Sequence, residues 1–166
     1  DNNLAFDLLE KVEDKTNANY PALMAEYYFN SLADFVLSGD FDVVGHPDLV
    51  RKFNLKHPYF DENALWYMEE LEKTADAIAA SGKIVEVNTG AISRGWLDDA
   101  YPSEPFRAML RSRGVRFVLS SDAHSADALD CAFDRFAAEE ERRKAEMLHE
   151  KLEAKLEEKR SENDNA

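Results

Sequence analysis

Three stretches of the chain repeat one pattern of apolar and polar positions: an amphipathic helix, a glycine at its end, and a short apolar run. Apolar residues recur at spacings of three and four in the helices, and the runs have the length of buried strands. The runs are FDVV at 41–44, IVEV at 84–87 and VRFVL at 115–119. Strands that alternate with such helices predict parallel pairing, right-handed crossovers and helices covering the sheet.

The ends and buried faces of the three helices follow from capping residues and helical spacing. The expected starts are Pro21, Asp61 and Ser103, and the expected stops are Gly39, Gly82 and Gly114, of which Gly39 should take the left-handed conformation. The expected buried faces consist of Leu23, Tyr27, Leu32, Phe35 and Val36 in the first helix, Leu65, Met68, Leu71, Ala75 and Ile78 in the second, and Phe106, Met109 and Leu110 in the third.

The pattern therefore predicts an α/β fold of three αβ units. Three parallel strands make a small sheet with two open edges, so the remaining strands should precede residue 1 or come from another chain. Further along, residues 139–160 are rich in charge, and Leu148, Leu152 and Leu156 recur every four residues. This favours a solvated C-terminal helix over a coiled coil or a partner-binding helix, and the final SENDNA segment should fray.

Composition narrows the class of protein. With 166 residues and 45% apolar residues, the chain is sufficient for one globular domain. The 34 acidic and 20 basic residues give a net charge of -14, which disfavours binding to nucleic acids or anionic membranes. Cys131 cannot form an intramolecular disulfide, and neither a membrane-length apolar run nor a secretory signal is visible. We therefore expect a soluble, cytoplasmic protein.

Polar residues follow each predicted strand. They are Gly45-His46-Pro47-Asp48, Glu86-Val87-Asn88-Thr89-Gly90 and Ser120-Ser121-Asp122-Ala123-His124. The carboxyl ends of parallel strands meet at one edge, where ligands bind in α/β folds. Asp122 and His124, two residues apart, can point to the same side, and His46 can add a second imidazole for zinc, manganese or iron. On spacing alone, two structural alternatives remain open. His46 can bond a nearby backbone carbonyl, and Asp122 and His124 can form a turn that caps the last helix.

The ordered motifs resemble one family. FDVVGHPDLVRKF, IVEVNTGAISRG, the triplet Tyr101-Pro102-Ser103 and FVLSSDAHSADALDCAFDRF occur in the order seen in PHP-family histidinol-phosphate phosphatases. The resemblance covers approximately residues 20–136 and corresponds to the C-terminal portion of the family. It implies a distorted (β/α)7 barrel, of which residues 1–136 would be part, and leaves residues 137–166 as a charged helical extension.

The resemblance also implies a cluster of up to three divalent metals, Zn, Mn or Fe, and hydrolysis of L-histidinol phosphate in histidine biosynthesis. His46, Asp122 and His124 match metal ligands. The family's HxH segment and its other ligands come from earlier strands, and no HxH occurs in this chain. The N-terminal barrel half would therefore be supplied in cis or in trans, and the 166-residue chain alone should have little activity.

Other polar residues receive narrower assignments. Arg94 resembles a catalytic residue near the substrate phosphate, and a guanidinium suits paired bonds to phosphate oxygens. Asn88 is expected to bind substrate or to orient a ligand, whereas Glu86 reads as a strand residue. His57 and His149 match no ligand segment and are excluded.

The implied mechanism is attack of a metal-bound water on phosphorus, with Arg94 stabilising the phosphoryl oxygens. Two alternatives remain. The chain can belong to another PHP phosphoesterase or nuclease, because the GH and DAH segments alone do not separate these enzymes. It can also be a non-catalytic fragment that binds a partner through its open strand edge or its charged helix. Metal content and substrate preference discriminate among the three.

Overall fold

A computed structural model describes residues 20–52 and 54–164 of the chain. The amino-terminal segment that shows no secretory signal, and the last two residues of the SENDNA segment, lie outside the described residues. The chain forms two compact units, one ending at Cys131 and the other beginning at Ala132. The first unit contains the sheet and every predicted site residue.

The elements follow one another as the sequence pattern predicts. They are α1 (Tyr20–Ser38), β1 (Val43–Val44), a 3-10 turn (Leu49–Arg51), α2 (Leu65–Ser81), β2 (Ile84–Asn88), the short α3 (Gly90–Ser93), α4 (Glu104–Ser112), β3 (Phe117–Ser120), a second 3-10 turn (Ala126–Ala128) and α5 (Phe133–Asp164). The strands lie in the order β1-β2-β3 and both pairs are parallel. The predicted α/β class with a small parallel sheet is confirmed.

The core lies where α1, α2 and α4 pack together with the strands. The Phe29 ring of α1 packs edge-to-face against the rings of Tyr67 and Phe106, at centroid separations of 5.8 and 6.4 Å. Leu71, Ile78 and other fully buried residues complete the cluster. Burial of each large apolar side chain contributes about 1.5–3 kcal/mol, so this cluster fixes the helices on the sheet.

Two predicted helix faces need correction. On α1, Leu23, Tyr27 and Phe35 are about half exposed, and the buried side consists of Ala25, Phe29 and Val36. The first helix carries apolar residues around most of its circumference, so spacing alone does not select the packed face. On α2, Leu65 is 75% exposed because it occupies the first position of the helix, before the packed turns.

Three predicted caps also differ in detail. Gly39 is not left-handed; a side chain there would collide with the Phe41 ring and the carbonyl oxygen of Phe35, so glycine permits a close approach. Asp61 accepts a hydrogen bond from the amide of Asn63 in a turn, and α2 begins later. Ser103 does precede α4, but its side chain makes no capping bond.

The second unit begins at Ala132 and contains α5. This helix is 32 residues long, and Leu148, Leu152 and Leu156 are each more than half exposed. The predicted boundary between residues 136 and 137 falls inside the helix. Across the described part of the chain, no helix combines the length and apolar character that a membrane crossing requires.

Candidate active site at the carboxyl edge of the sheet

The segments that follow the three strands are joined by short contacts. The Thr89 amide donates to the carbonyl oxygen of Ser120 at 2.9 Å, which connects the ends of β2 and β3. The His46 amide donates to Glu86 Oε2 at 3.1 Å, which connects the ends of β1 and β2. The predicted convergence of the strand ends therefore follows from the parallel register of the sheet.

Glu86 and Asn88 form the centre of this edge. Glu86 Oε2 accepts from the His46 amide and from Asn88 Nδ2, the latter at 3.0 Å. Asn88 is almost fully buried, and its Oδ1 accepts from the Gly90 amide at 2.9 Å. Glu86 therefore does more than fill a strand position: its carboxylate positions the backbone at His46. The i, i+2 spacing of Glu86 and Asn88 was the sequence signal for this pairing.

Arg94 and Asp122 join the loops after β2 and β3. Arg94 Nη2 lies 2.7 Å from Asp122 Oδ2, and Nη1 donates to the Asp122 carbonyl oxygen at 2.9 Å. The Arg94 side chain is 19% exposed, and its guanidinium carbon lies 4.6 Å from the centre of the Trp96 ring. Its buried Nε has no hydrogen-bond partner. The guanidinium thus keeps N–H groups beyond those directed at Asp122.

Gly90 allows this arrangement by its lack of a side chain. A Cβ atom there would collide with Arg94 Nη2 and would lie 3.0 Å from both Asn88 Oδ1 and the carbonyl oxygen of Ser121. Such contacts are shorter than ordinary van der Waals separations, and two of the neighbours are held by hydrogen bonds or backbone. Glycine is therefore the residue that this junction requires.

The structure brings together only some of the predicted metal ligands. His124 is 74% exposed, and its Nε2 lies 3.7 Å from Asp122 Oδ1. The His46 ring instead packs edge-on against Tyr101 at 6.3 Å. Within residues 20–52 and 54–164, no three His, Cys, Asp or Glu side chains converge closely enough to hold a metal ion. The donors in the described residues therefore do not form a metal centre by themselves.

Two of these residues have an unusual backbone conformation. His46 has a φ of 31° and Asp122 has a φ of 46°, in the left-handed region that residues other than glycine seldom adopt. Such conformations cost roughly 1–3 kcal/mol and cluster at functional positions, where the surrounding structure enforces them. Here the Glu86 carboxylate holds one residue and Arg94 holds the other, so the strain lies at the predicted site.

A buried carboxylate beside the site was not anticipated from the sequence. Asp48 is fully buried, and its Oδ2 accepts from the Ser103 amide at 2.7 Å and from Arg51 Nη1 at 3.4 Å. Burial raises the pKa of Asp48, while Arg51 and Ser103 lower it in part. Burial alone would lower the pKa of Arg51, but Asp48 and Glu62 raise it. Asp48 therefore anchors the loop before α4 to the GHPD segment.

Tyrosines surround this carboxylate. Burial raises the pKa of Tyr28, Tyr67 and Tyr101, and the charge of Asp48 raises each of them further. Tyr101 also joins the site through its backbone, because it exchanges two hydrogen bonds with Asn88 at 2.7 and 3.0 Å. The GHPD motif contained a signal for Asp48, two residues after His46, but nothing local indicated its burial.

A separate cavity of about 580 Å³ lies between the segment after β1 and the loop before α4. Its lining includes Arg51, Glu62, Asp99 and Ser103. None of the five predicted site residues lines it. Arg51 is bonded to Glu62 at 2.6 Å, so its charge is already neutralised inside the cavity wall. This cavity is therefore separate from the strand edge where the predicted site residues lie.

Proteins of related sequence share one name. A protein named probable histidinol-phosphatase from Deinococcus radiodurans is 31% identical over 122 residues, which are 72% of this chain and 42% of the relative. A protein of the same name from Schizosaccharomyces pombe is 29% identical over 85 residues, 49% of this chain and 27% of the relative. The chain thus spans less than half the length of these curated relatives. No protein family model matches the chain.

A solved structure has a similar fold. It is the crystal structure of a protein named histidinol phosphatase hisK, from Listeria monocytogenes. The two folds match with a TM-score of 0.62 at 14% sequence identity, over 74% of this chain and 51% of the Listeria monocytogenes chain. At this identity the match shows the fold alone. Together with the sequence relatives, it confirms the resemblance to histidinol-phosphatases that the ordered motifs predict.

Proposed function

We propose that this chain, a relative of the histidinol-phosphatases, contributes the C-terminal half of a phosphatase site that hydrolyses L-histidinol phosphate to histidinol. The relatives named histidinol-phosphatase support the reaction class. The single structural observation that carries the proposal is the junction of Arg94 with Asp122 at the carboxyl edge of the sheet. Ligands of α/β folds bind at this edge.

The proposed role of Arg94 follows from its surroundings. Two of its N–H groups are directed at Asp122, and the Trp96 ring supports the guanidinium. The N–H groups of this planar fork that do not face Asp122 can donate to a phosphoryl oxygen and stabilise the charge that develops on it during hydrolysis. Asp122 fixes the direction of the fork, so the phosphate is bound in one orientation. Asn88 positions His46 indirectly: it donates to the Glu86 carboxylate, which also accepts from the His46 amide.

The proposed metal dependence needs ligands beyond those described. We propose that His46, Asp122 and His124 are ligands in a cluster of divalent ions, and that the remaining ligands come from the N-terminal half of a (β/α)7 barrel. Carboxylate and imidazole suit Zn, Mn and Fe. This chain with that half is called the complete barrel protein below. The chain spans 42% of its Deinococcus radiodurans relative, which leaves room for such a half.

The charge of the chain supports a small substrate. A net charge of -14 repels polynucleotides, whereas a small phosphate ester that carries its own amine is tolerated near acidic surfaces. The proposed substrate is such an ester. A nuclease of the same fold would need a basic groove for the polynucleotide backbone.

The test compares the hydrolysis of three substrates by the complete barrel protein. We expect phosphate release from L-histidinol phosphate to exceed both phosphate release from a nucleoside 5′-monophosphate and cleavage of a nucleotide phosphodiester to a monoester. Preference for either nucleotide substrate would replace the proposal with another phosphoesterase activity. Absence of turnover with all three, in the presence of Zn, Mn or Fe, would favour a non-catalytic, partner-binding chain.

Two matched arginine variants test whether Arg94 belongs to the active site. Arg94→Ala should lower kcat/KM for L-histidinol phosphate by a factor of about 100, the usual scale for one removed charge-stabilising group. Arg113→Ala is the control, because Arg113 is similarly half-buried and paired, with Asp76 at 2.6 Å, but lies at the far end of α4. Equal effects of the two substitutions would remove Arg94 from the site.

A further inference from the structure

The imidazole of His46 has no hydrogen bond to any other residue that the structure describes, because the bond from His46 to Glu86 uses the backbone amide. The imidazole packs edge-on against the Tyr101 ring instead, at a centroid separation of 6.3 Å and an interplanar angle of 72°. A histidine that ligates a metal usually donates its second ring nitrogen to a carboxylate or a carbonyl, which fixes the orientation of the ring. At His46 a ring contact stands where that hydrogen bond would be.

The Tyr101-Pro102-Ser103 triplet is held at both of its ends. Tyr101 exchanges two backbone hydrogen bonds with Asn88, the last residue of β2, at 2.7 and 3.0 Å. The Ser103 amide donates to Asp48 Oδ2 at 2.7 Å, and Asp48 lies two residues after His46. The triplet therefore connects β2 to the loop that carries His46. The Tyr101 side chain, which is 1% exposed, is thereby fixed beside the imidazole.

We propose that Tyr101 is a positioning residue that sets the orientation of the His46 imidazole at the carboxyl edge of the sheet. An edge-on pair of aromatic rings is favourable only while the rings keep their relative orientation. Because the backbone of Tyr101 is fixed, the pair restricts the imidazole. The ring has this role and the hydroxyl does not, since the buried Tyr101 hydroxyl has no hydrogen-bond partner among the described residues. The inference rests on the proposed function for the ligand role of His46.

Three substitutions separate this role from a role in stability alone. Tyr101→Leu removes the aromatic ring and leaves both backbone bonds to Asn88, whereas Tyr101→Phe removes only the hydroxyl. Tyr67→Leu is the matched control. Tyr67 is also 1% exposed and its hydroxyl also lacks a partner, but its ring packs in the core against Phe29 and Phe60. Urea denaturation of each variant measures the loss of stability and defines conditions in which the variant is folded.

NMR of the 166-residue chain measures the His46 ring directly, without metal or substrate. The chain has four histidines, and the His46 signals are those that disappear in His46→Ala. In the wild type we expect cross-relaxation between the ring protons of His46 and Tyr101, a result that decides the matter even if Tyr101→Leu does not fold. In Tyr101→Leu the chemical shifts of the His46 ring should move towards those of His149, whose imidazole is exposed. Tyr101→Phe and Tyr67→Leu should leave them unchanged.

The kinetic consequence is measured in the complete barrel protein. Tyr101→Leu should lower kcat for L-histidinol phosphate about two- to tenfold, the scale on which one pair of aromatic rings biases an orientation. Tyr101→Phe should retain the wild-type kcat, because the ring is still present. Tyr67→Leu should also retain it in the folded protein, even though the substitution lowers stability.

Failure of the positioning role and failure of the proposed function are distinguishable. The positioning role is overturned if the wild type shows no cross-relaxation between the two rings, or if Tyr101→Leu and Tyr67→Leu shift the His46 signals equally or not at all. An unchanged kcat in Tyr101→Leu of an active enzyme overturns it as well. A His46 shift specific to Tyr101→Leu upholds the role even when the complete barrel protein does not hydrolyse L-histidinol phosphate. In that case only the proposed ester is wrong.

Discussion

Arg94 holds Asp122 at two points: Nη2 lies 2.7 Å from the carboxylate and Nη1 lies 2.9 Å from the backbone carbonyl oxygen. The first contact orients a predicted metal ligand, and the second supports the left-handed backbone at that residue, where φ is 46°. One side chain thus connects the phosphate end of the proposed site to its metal end.

Replacement of Arg94 by lysine should not preserve function. A single ammonium cannot reach both Asp122 oxygens and also present a planar fork to a phosphate. In the complete barrel protein, we expect Arg94→Lys to lower kcat/KM for L-histidinol phosphate by at least about tenfold, measured by phosphate release. Arg113→Lys, at the far end of α4, should leave the kinetics unchanged. Wild-type activity in Arg94→Lys would show that charge alone suffices there.

Gly90→Ala should displace Arg94. The added methyl group would collide with Nη2 and crowd Asn88 Oδ1 and the Ser121 carbonyl oxygen. We expect a loss of about 1–3 kcal/mol in the free energy of unfolding, measured by urea denaturation, together with reduced phosphate-ester turnover.

Gly114→Ala separates crowding from backbone strain. Gly114 has a φ of 75° and open space around the Cβ position, so alanine there should cost about 1 kcal/mol and spare turnover. If Gly90→Ala behaved in the same way as Gly114→Ala, Gly90 would have only a backbone role.

The stability of the protein should depend on Asp48 in a defined direction with pH. Burial raises the pKa of Asp48 above 3.8, so between pH 3.8 and the higher folded-state pKa the folded protein binds more protons at this group than the unfolded chain. The contribution of Asp48 to the free energy of unfolding therefore falls as pH rises through that window.

Asp48→Asn removes this titration while keeping an oxygen that can accept from the Ser103 amide. We expect the stability of the wild type relative to Asp48→Asn to decrease as the pH rises from about 4 towards neutrality. Urea denaturation at several pH values measures the difference. A difference that grew with pH would mean that the ion pair with Arg51 outweighs burial.

Metal content should depend on His124 and not on His149. Both imidazoles are similarly exposed, at 74% and 73%, and each lies near one carboxylate, at 3.7 Å from Asp122 and 3.3 Å from Glu153. In the complete barrel protein, His124→Ala should reduce bound metal and turnover together, as should His46→Ala. His149→Ala should retain both. Unchanged metal content in the first two variants would remove the ligand assignment.

The sequence predicted the elements and the edge at which polar residues meet, because parallel αβ units leave few alternatives for the strand ends. It did not predict how those residues pair. The bond from the Ser103 amide to Asp48 joins positions 55 residues apart, and Arg94 reaches Asp122 across 28 residues. Such contacts depend on the tertiary arrangement of loops, which local patterns do not specify.

The errors in the helices have a similar origin. Helical spacing predicts that Leu23 and Phe35 lie in the core, but packing of α1 on α2 selects the face with Phe29. The position of Gly39 predicts a left-handed cap, whereas a close approach to Phe41 is what requires glycine there. Residue type alone shows that these positions matter. The fold shows whether an apolar residue is buried or exposed, and whether a glycine is needed for its backbone conformation or for a close approach.

The most direct test of a partial phosphatase site is phosphate release from L-histidinol phosphate by two proteins assayed side by side with Zn, Mn and Fe. We expect little release by the 166-residue chain, since its described donors do not complete a metal centre, and turnover by the complete barrel protein. Robust turnover by the 166-residue chain would contradict the claim that its site is partial. Absence of release by the complete barrel protein would contradict the proposed reaction.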